Sequence, residues 1–244
     1  MGNDKNILNL AENIQTCGRC KFFRKNYFGF YSLNKNAKMM ILMQNPGAGN
    51  KRIKEEIEGI ERVGEIKDKI SIMRKGLNDW ILNQNKVFFK RFFHILKEFK
   101  LIDFDSFESY VSSYKYLDDF YFTDVLKCRI KTNEVKEDNL NRCFDNFLSF
   151  EINYVKPEII FSFSTRTWQT LRNKIEMNSI TDRKLDNMTL ARVHGYLFKI
   201  KDKDCFIIPL VHMSQQIFNN LLRDSYFEYL NEGLKTFVDI KHFK

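Results

Sequence analysis

The sequence predicts an α/β fold: a three-layer α/β/α sandwich with a central four-stranded parallel sheet. Three observations carry this. Four short, continuous apolar runs each stop at Pro, Gly or polar residues, as strands buried on both faces do. Helical stretches separate or follow them, which is the alternation of a parallel sheet covered on both sides. Finally, 244 residues with 43% hydrophobic and 15% aromatic content fill one such domain.

The first strand is Met39-Met40-Ile41-Leu42-Met43, stopped by Gln44-Asn45-Pro46-Gly47-Ala48-Gly49. The second is Phe120-Tyr121-Phe122-Thr123. The third, Ile159-Ile160-Phe161-Ser162-Phe163, follows Pro157, and the fourth is Phe206-Ile207-Ile208-Pro209-Leu210-Val211. Residues 86–101 place Val87, Phe88, Arg91, Phe92, Ile95, Leu96 and Phe99 near a 3.6-residue period, a core-facing amphipathic helix. Further helices are expected near 137–152, 166–175 and 215–235. Residues 1–38 read as polar and loop-rich, and 50–75 as an exposed charged segment of helical composition. No repeat, low-complexity tract or linker divides the chain, so residues 1–244 are expected to form a single domain.

A net charge of +9 favours an anionic partner, of which nucleic acid is the commonest. An AT-rich genome gives the same Lys- and Asn-rich composition. No run of about 18 apolar residues exists to span a membrane. The polar N-terminus lacks the apolar stretch of a signal peptide, so a cytoplasmic, monomeric protein without membrane contact is expected. Five cysteines in such a chain argue against a disulfide framework. Cys17 and Cys20 form C-x-x-C, Cys128 and Cys143 follow, and Cys205 opens an apolar strand as an inert core thiol. By spacing alone, zinc and an iron–sulfur cluster are near equals as ligands of the first four, with a redox dithiol as a further option.

In a parallel sheet the site lies at the carboxyl ends of the strands. Three polar sets fall there: Gln44-Asn45-Pro46-Gly47, Thr123-Asp124 and His212-Met213-Ser214. Each alone has an ordinary explanation, a turn for Asn-Pro-Gly and a surface residue for His. Their matching positions give them weight together.

Met43-Gln44-Asn45-Pro46-Gly47 resembles the first motif of the uracil-DNA glycosylases, in the form with Asn before Pro-Gly found in the mismatch-specific and single-strand-selective branches. His212-Met213-Ser214 resembles their second motif, usually His-Pro-Ser. Residues 122–129, Phe-Thr-Asp-Val-Leu-Lys-Cys-Arg, are similar to the Thr-Asn-x-x-Lys-Cys-Arg segment of the family 4, thermophile-type enzymes, whose cysteine layout Cys17, Cys20, Cys128 and Cys143 reproduce. The resemblance runs from about Cys17 to about Arg223, with residues 50–86 unaligned. Ile130-Lys131 stands for the family's Pro-Pro, Met43 for a Gly, Met213 for a Pro and Asp124 for an Asn.

The resemblance implies a monofunctional DNA glycosylase that flips a base from single- or double-stranded DNA and hydrolyses its N-glycosidic bond, with no Lys nucleophile and so no lyase step. It implies a [4Fe-4S] cluster on Cys17, Cys20, Cys128 and Cys143, structural in role. Asn45 would position the attacking water, and His212 would donate to the base O2 as charge develops there. Backbone amides around Gln44 and Gly47 would add donors, and Phe88, Phe89 or Trp80 would stack on the base. Lys127, Arg129 and Lys131 beside the cluster would meet phosphates. Ser214, Gln215 and Gln216 would lie at the minor groove, with Arg223 a further phosphate contact. Asp124 would alter base specificity. An ionised carboxylate offers only acceptors where the family Asn reads uracil with one acceptor and one donor. Against uracil it would be mismatched, whereas a protonated Asp124 would suit a cytosine-like base. A non-catalytic nucleic-acid-binding protein of the same fold, carrying the cluster, and a redox protein using Cys17 and Cys20 are the other readings.

Overall fold

The computed structural model describes residues 4–17, 24–46, 66–129, 135–181, 185, 188–212 and 225–242, with backbone alone for 4–6, 24–30, 67 and 129. Its centre is a sheet of seven strands ordered β1-β3-β2-β4-β7-β6-β5. These are β1 (Arg24–Phe30), β2 (Met39–Met43), β3 (Phe120–Arg129), β4 (Ile159–Phe163), β5 (Met177–Ser179), β6 (Phe198–Ile200) and β7 (Phe206–Leu210). The expected parallel set is its middle, β3-β2-β4-β7. Antiparallel β1 extends one edge, and antiparallel β6 and β5 extend the other. The strand count rises because these additions are short or polar and do not show the apolar run of a strand buried on both faces. Pro209 is accommodated within β7. Its carbonyl accepts from Gly195 N–H, and its missing N–H would point the same way, past the last residue paired with β6.

Residues 1–38 are not mainly loop. They hold helix α1 (Asp4–Thr16) and then β1. Ile7, Leu10, Ala11 and Ile14 are buried at helical spacing on α1, a periodicity that its polar residues obscure. Helix α2 (Ile66–Asp79) buries Ile70, Met73 and Leu77, so this part of the charged segment packs on the fold; 50–65 lie outside the described residues. A π-helical turn, Trp80–Gln84, leads into α3 (Lys86–Glu98). Helix α3 buries Phe88, Phe89, Phe92, Phe93, Ile95 and Leu96, whereas Val87 is 66% exposed. The apolar face is therefore rotated from the expected one. Phe89 and Phe93 replace Val87 and Arg91 on it, because the wide aromatic stripe meets the sheet more fully.

Phe92 packs on Phe120, Phe161 and Phe163, which fixes α3 against one face of the sheet. Two short helices, α4 (Phe107–Ser112) and α5 (Tyr116–Asp119), connect to β3. Beyond it, Glu137–Cys143 (α6), a π-helical turn Phe144–Leu148 and Ser149–Val155 (α7) form one helical stretch, followed after β4 by Thr165–Lys174 (α8). Tyr121 and Thr123 meet α7 through Glu151, on the face opposite the one Phe120 presents to α3. Helices thus cover both faces, as the sandwich requires. After α9 (Leu190–Val193) the chain reaches Gly195, with φ +81°, where an added Cβ would lie 2.5 Å from the Tyr229 backbone. At Gly233 an added Cβ would lie 2.0 Å from Gly195 O. Only glycines let this loop and α10 (Ser225–His242) cross so closely. No helix among the described residues is long and apolar enough to cross a membrane.

Candidate active site

The parallel register brings the predicted polar sets to one edge. Met43 is level with Asp124, Leu42 with Ser162, and Phe163 with Leu210. Gln44, Ser164 and Val211 therefore leave the sheet together, with Asn45 and His212 one residue further on. Leu126 N–H donates to Gln44 O at 2.9 Å, carrying the β2–β3 ladder past the last strand residue of β2. Gln44 Nε2 donates to Asn45 Oδ1 at 3.3 Å, and Ser164 Oγ donates to Gln44 Oε1 at 3.4 Å.

Ser164 was not singled out by the sequence. Its backbone is at φ 96°, ψ 151°, a region nearly reserved for glycine. The turn persists because it is tied three ways. Ser164 N–H donates to Leu210 O at 3.2 Å, its Oγ accepts from Thr167 N–H at 3.2 Å to cap α8, and that hydroxyl reaches Gln44. Strain of this kind costs about 1–3 kcal/mol and collects where geometry serves a site. The sequence signal was a Ser capping a helix directly after a buried strand.

Asp124 is fully buried on the face of β3 opposite Thr123. Tyr31, the residue after β1, donates its hydroxyl to Asp124 Oδ2 at 2.9 Å. Oδ1 is buried and meets no hydrogen-bond partner among the described residues. Burial pushes the carboxyl up to about 7; the Lys127 charge and the Tyr31 hydrogen bond pull it down less, and Glu151 adds a smaller push upward. A carboxyl so placed changes charge near neutrality. No sequence pattern marks Tyr31, because it follows a polar edge strand and stands 93 residues from its partner.

Lys127, expected to meet a phosphate, points instead into the interior. It is 2% exposed and forms a buried ion pair with Glu151, which also accepts from Thr123 at 3.1 Å and Tyr121 at 3.1 Å. Burial raises the Glu151 pKa, and Lys127 opposes that rise. A charge so deep needs a partner, and α7 supplies it.

On the far flank, Val211 is held by both of its backbone groups. Its N–H donates to His194 Nδ1 at 3.1 Å, and its carbonyl accepts from Tyr226 Oη at 2.8 Å. With Nδ1 accepting, His194 carries its proton on Nε2 and donates to Tyr226 O at 3.2 Å. Burial pushes the His194 pKa down to about 4, so the ring is neutral at neutral pH. This bracket sets the direction in which His212 leaves β7. His212 has an exposed surface, yet the chain crowds it enough to lower its pKa, again favouring neutral imidazole.

Phe88 and Phe89 do not lie open to a base. Phe88 is packed among Phe92, Phe163, Tyr226 and Phe227, and Phe89 among Trp80, Phe92 and Phe93. Their rings build the core between α3, β4 and α10. Trp80 is partly buried and edge-on to Phe89.

Cys17 ends the α1 segment, Cys128 is near the end of β3, and Cys143 ends α6; the latter two are buried, and all three are thiols, not disulfides. Cys128 is in register with Phe28 of β1, α1 packs on β1, and α6 packs on β3, so the segments bearing these thiols are neighbours. Among the described residues, no three of His, Cys, Asp and Glu are drawn together as a metal site. Cys20, Gly47, Lys131, Ser214, Gln215 and Arg223 lie outside the described residues; Arg129 closes β3, in register with Arg24. Cys205 is buried, and its thiol is pushed up to about 12, as expected of an inert core residue.

A sequence model of the Uracil DNA glycosylase superfamily matches residues 30–235, spanning β2, β3, β4 and β7 with their polar ends. A Type-4 uracil-DNA glycosylase of Sulfurisphaera tokodaii is 26% identical over 107 residues, 43% of this chain and 46% of that protein. The match thus spans less than half of that relative's length. From the extent of the family match and the geometry of the strand ends, the chain belongs to the uracil DNA glycosylase superfamily.

Proposed function

We propose that the protein is a monofunctional DNA glycosylase of the family 4-like branch, which hydrolyses the N-glycosidic bond of a flipped base whose identity is set at Asp124. The observation that carries this is the convergence of Gln44-Asn45, Asp124, Ser164 and His212 at one edge of four parallel strands. Asn45 holds the attacking water near the anomeric carbon; the breaking bond leaves oxocarbenium character on the sugar, so a strong base is not needed. His212, neutral because crowding lowers its pKa, donates an N–H to the base oxygen on which negative charge develops. Gln44 and Ser164 hold Asn45 in place. Lys131, Ser214, Gln215 and Arg223 are the proposed DNA contacts, with Arg129 beside the cysteines and Gly47 supplying an amide. DNA, in either strand form, is the proposed partner of a monomer.

Cys17, Cys20, Cys128 and Cys143 are the proposed ligands of a [4Fe-4S] cluster, supported by three thiols on neighbouring segments and by the likeness to a Type-4 enzyme. Its contribution would be structural, tying the C-x-x-C to the end of β3 and to α6. Iron and acid-labile sulfide in anaerobically purified protein are expected; zinc in their place would contradict the cluster.

The test of function is base release from single- and double-stranded oligonucleotides carrying uracil, cytosine, modified cytosines, thymine mismatches, hypoxanthine or xanthine. Asn45→Ala is expected to lower kcat by about 10²–10⁴-fold, the range for a positioned catalytic group. Binding without release from any substrate would favour the second reading, a non-catalytic nucleic-acid-binding protein. That reading is favoured by the departures from the family motifs at Met43, Asp124 and Met213, of which Asp124 is a buried carboxyl where the family carries an amide.

A further inference from the structure

We infer that Tyr31 is a specificity-positioning residue, fixing the Asp124 carboxyl by Oδ2 so that Oδ1 alone is left to read the base. The inference rests on the assignment of Asp124 to base reading and deepens it.

A carboxyl free to turn would offer a ligand either oxygen. Here the Tyr31 hydroxyl donates to Oδ2 at 2.9 Å, while Oδ1 is buried and meets no partner among the described residues. An unmet acceptor in the interior is costly unless something else completes it, and beside the ends of β2 and β4 a bound base is a natural partner. Tyr31 can hold this position because its own place does not depend on its hydroxyl. Its ring is buried, and Arg74 of α2 donates to its carbonyl at 2.7 Å. Antiparallel β1 pairs Phe30 with Thr123, so Tyr31 emerges level with Phe122, and its ring reaches diagonally to Asp124, two residues along β3 on the same face.

Fixing one oxygen gives the other two states. With Oδ2 accepting from Tyr31, a proton on the carboxyl resides on Oδ1, which then donates. Without that proton, Oδ1 accepts. The donating form suits a base edge with an unprotonated ring nitrogen, the cytosine-like class. The accepting form suits a ring N–H or an exocyclic amine. Three ionisable groups act on this carboxyl: Tyr31 at Oδ2, and the charges of Lys127 and Glu151 from across the sheet. Tyr31 is the one among them that selects which oxygen is engaged.

The test compares full-length wild type, Tyr31→Phe and Asp124→Asn. The Asp124 carboxyl is titrated by infrared difference spectroscopy, with Asp124→Asn as the blank. In parallel, the ratio of uracil to cytosine-class recognition is measured as base release and as oligonucleotide affinity. Tyr31→Phe keeps the ring but removes a bond that favours the ionised carboxyl. Its Asp124 titration is expected to move to higher pH, and the recognition ratio to change by about tenfold, the size of one lost hydrogen bond to a charged group. An unchanged titration and ratio in Tyr31→Phe would overturn the inference and leave Tyr31 a packing residue. A shifted titration with a ratio unmoved in both variants would instead overturn the assignment of Asp124 to base reading, and Tyr31's role in specificity with it.

Discussion

The two flanks of the strand-end edge both carry buried, titratable networks, and they are finished differently. On the β7 flank, His194, Tyr226 and the Val211 peptide bond one another through neutral groups, and His194 uses both ring nitrogens. On the β3 flank, Lys127 and Glu151 pair directly and Glu151 also accepts from Thr123 and Tyr121, yet the neighbouring carboxyl of Asp124 keeps one oxygen unmet among the described residues. A closed network rigidifies the chain that leaves it, here toward His212. An open one retains capacity to bind. The contrast assigns scaffolding to one flank and recognition to the other, and divides the β3 flank itself at the sheet: the ion pair lies on the α7 face, Asp124 on the other.

Lys127→Met would sharpen that division most. Removing one partner of a buried ion pair is expected to cost about 3–5 kcal/mol of stability, read as a lower denaturant midpoint. DNA affinity in the folded protein should change little; a loss of affinity with stability intact would return Lys127 to the phosphate contacts.

His194→Leu probes the closed flank. Losing the acceptor for Val211 N–H is expected to cost about 1–3 kcal/mol and to lower kcat more than it raises KM, because His212 is misdirected. His194→Asn, whose amide oxygen can occupy the Nδ1 position, should recover part of both. The same ring predicts the acid side of stability. Its folded-state pKa of about 4 lies below its ordinary 6.5, so its contribution is complete above 6.5 and is lost as pH falls toward 4. In His194→Asn that stretch of the pH–stability profile should flatten.

Ser164→Gly is expected to have the smallest effect and an instructive sign. Glycine accepts φ 96° without strain, and as a helix cap it loses only a few tenths of a kcal/mol against serine, so stability should rise by about 1 kcal/mol. Activity should fall several-fold as Gln44 loses its tie. A variant both more stable and fully active would remove Ser164 from the site.

How much of this could be read from the sequence followed from what apolar patterning encodes. β2, β4 and β7 are continuous apolar runs because both faces are covered, and they stood out at once. Gln44-Asn45, Asp124 and His212 were legible because each ends or interrupts such a run. Helix α1 is hidden in the sequence although Ile7, Leu10, Ala11 and Ile14 mark one face, because its polar residues dominate composition. Lys127, Phe88 and Phe89 depart from the expectation for one reason. A residue type suited to phosphate or base does not reveal whether tertiary packing has already claimed it, Lys127 for Glu151 and the phenylalanines for the core. Tyr31, Ser164 and His194 could not be found by pattern, since each acts through a partner distant in sequence or through a backbone angle.

The most direct test of the account is the base preference of Asp124→Asn beside wild type across pH 5.5–8.5. In wild type the preference should change through about pH 7, where the buried carboxyl changes charge: cytosine-like bases below, loss of that preference above. Asp124→Asn, whose amide keeps one protonation state across this range, should show no such transition. The same pH-dependent preference in Asp124→Asn as in wild type would contradict the account.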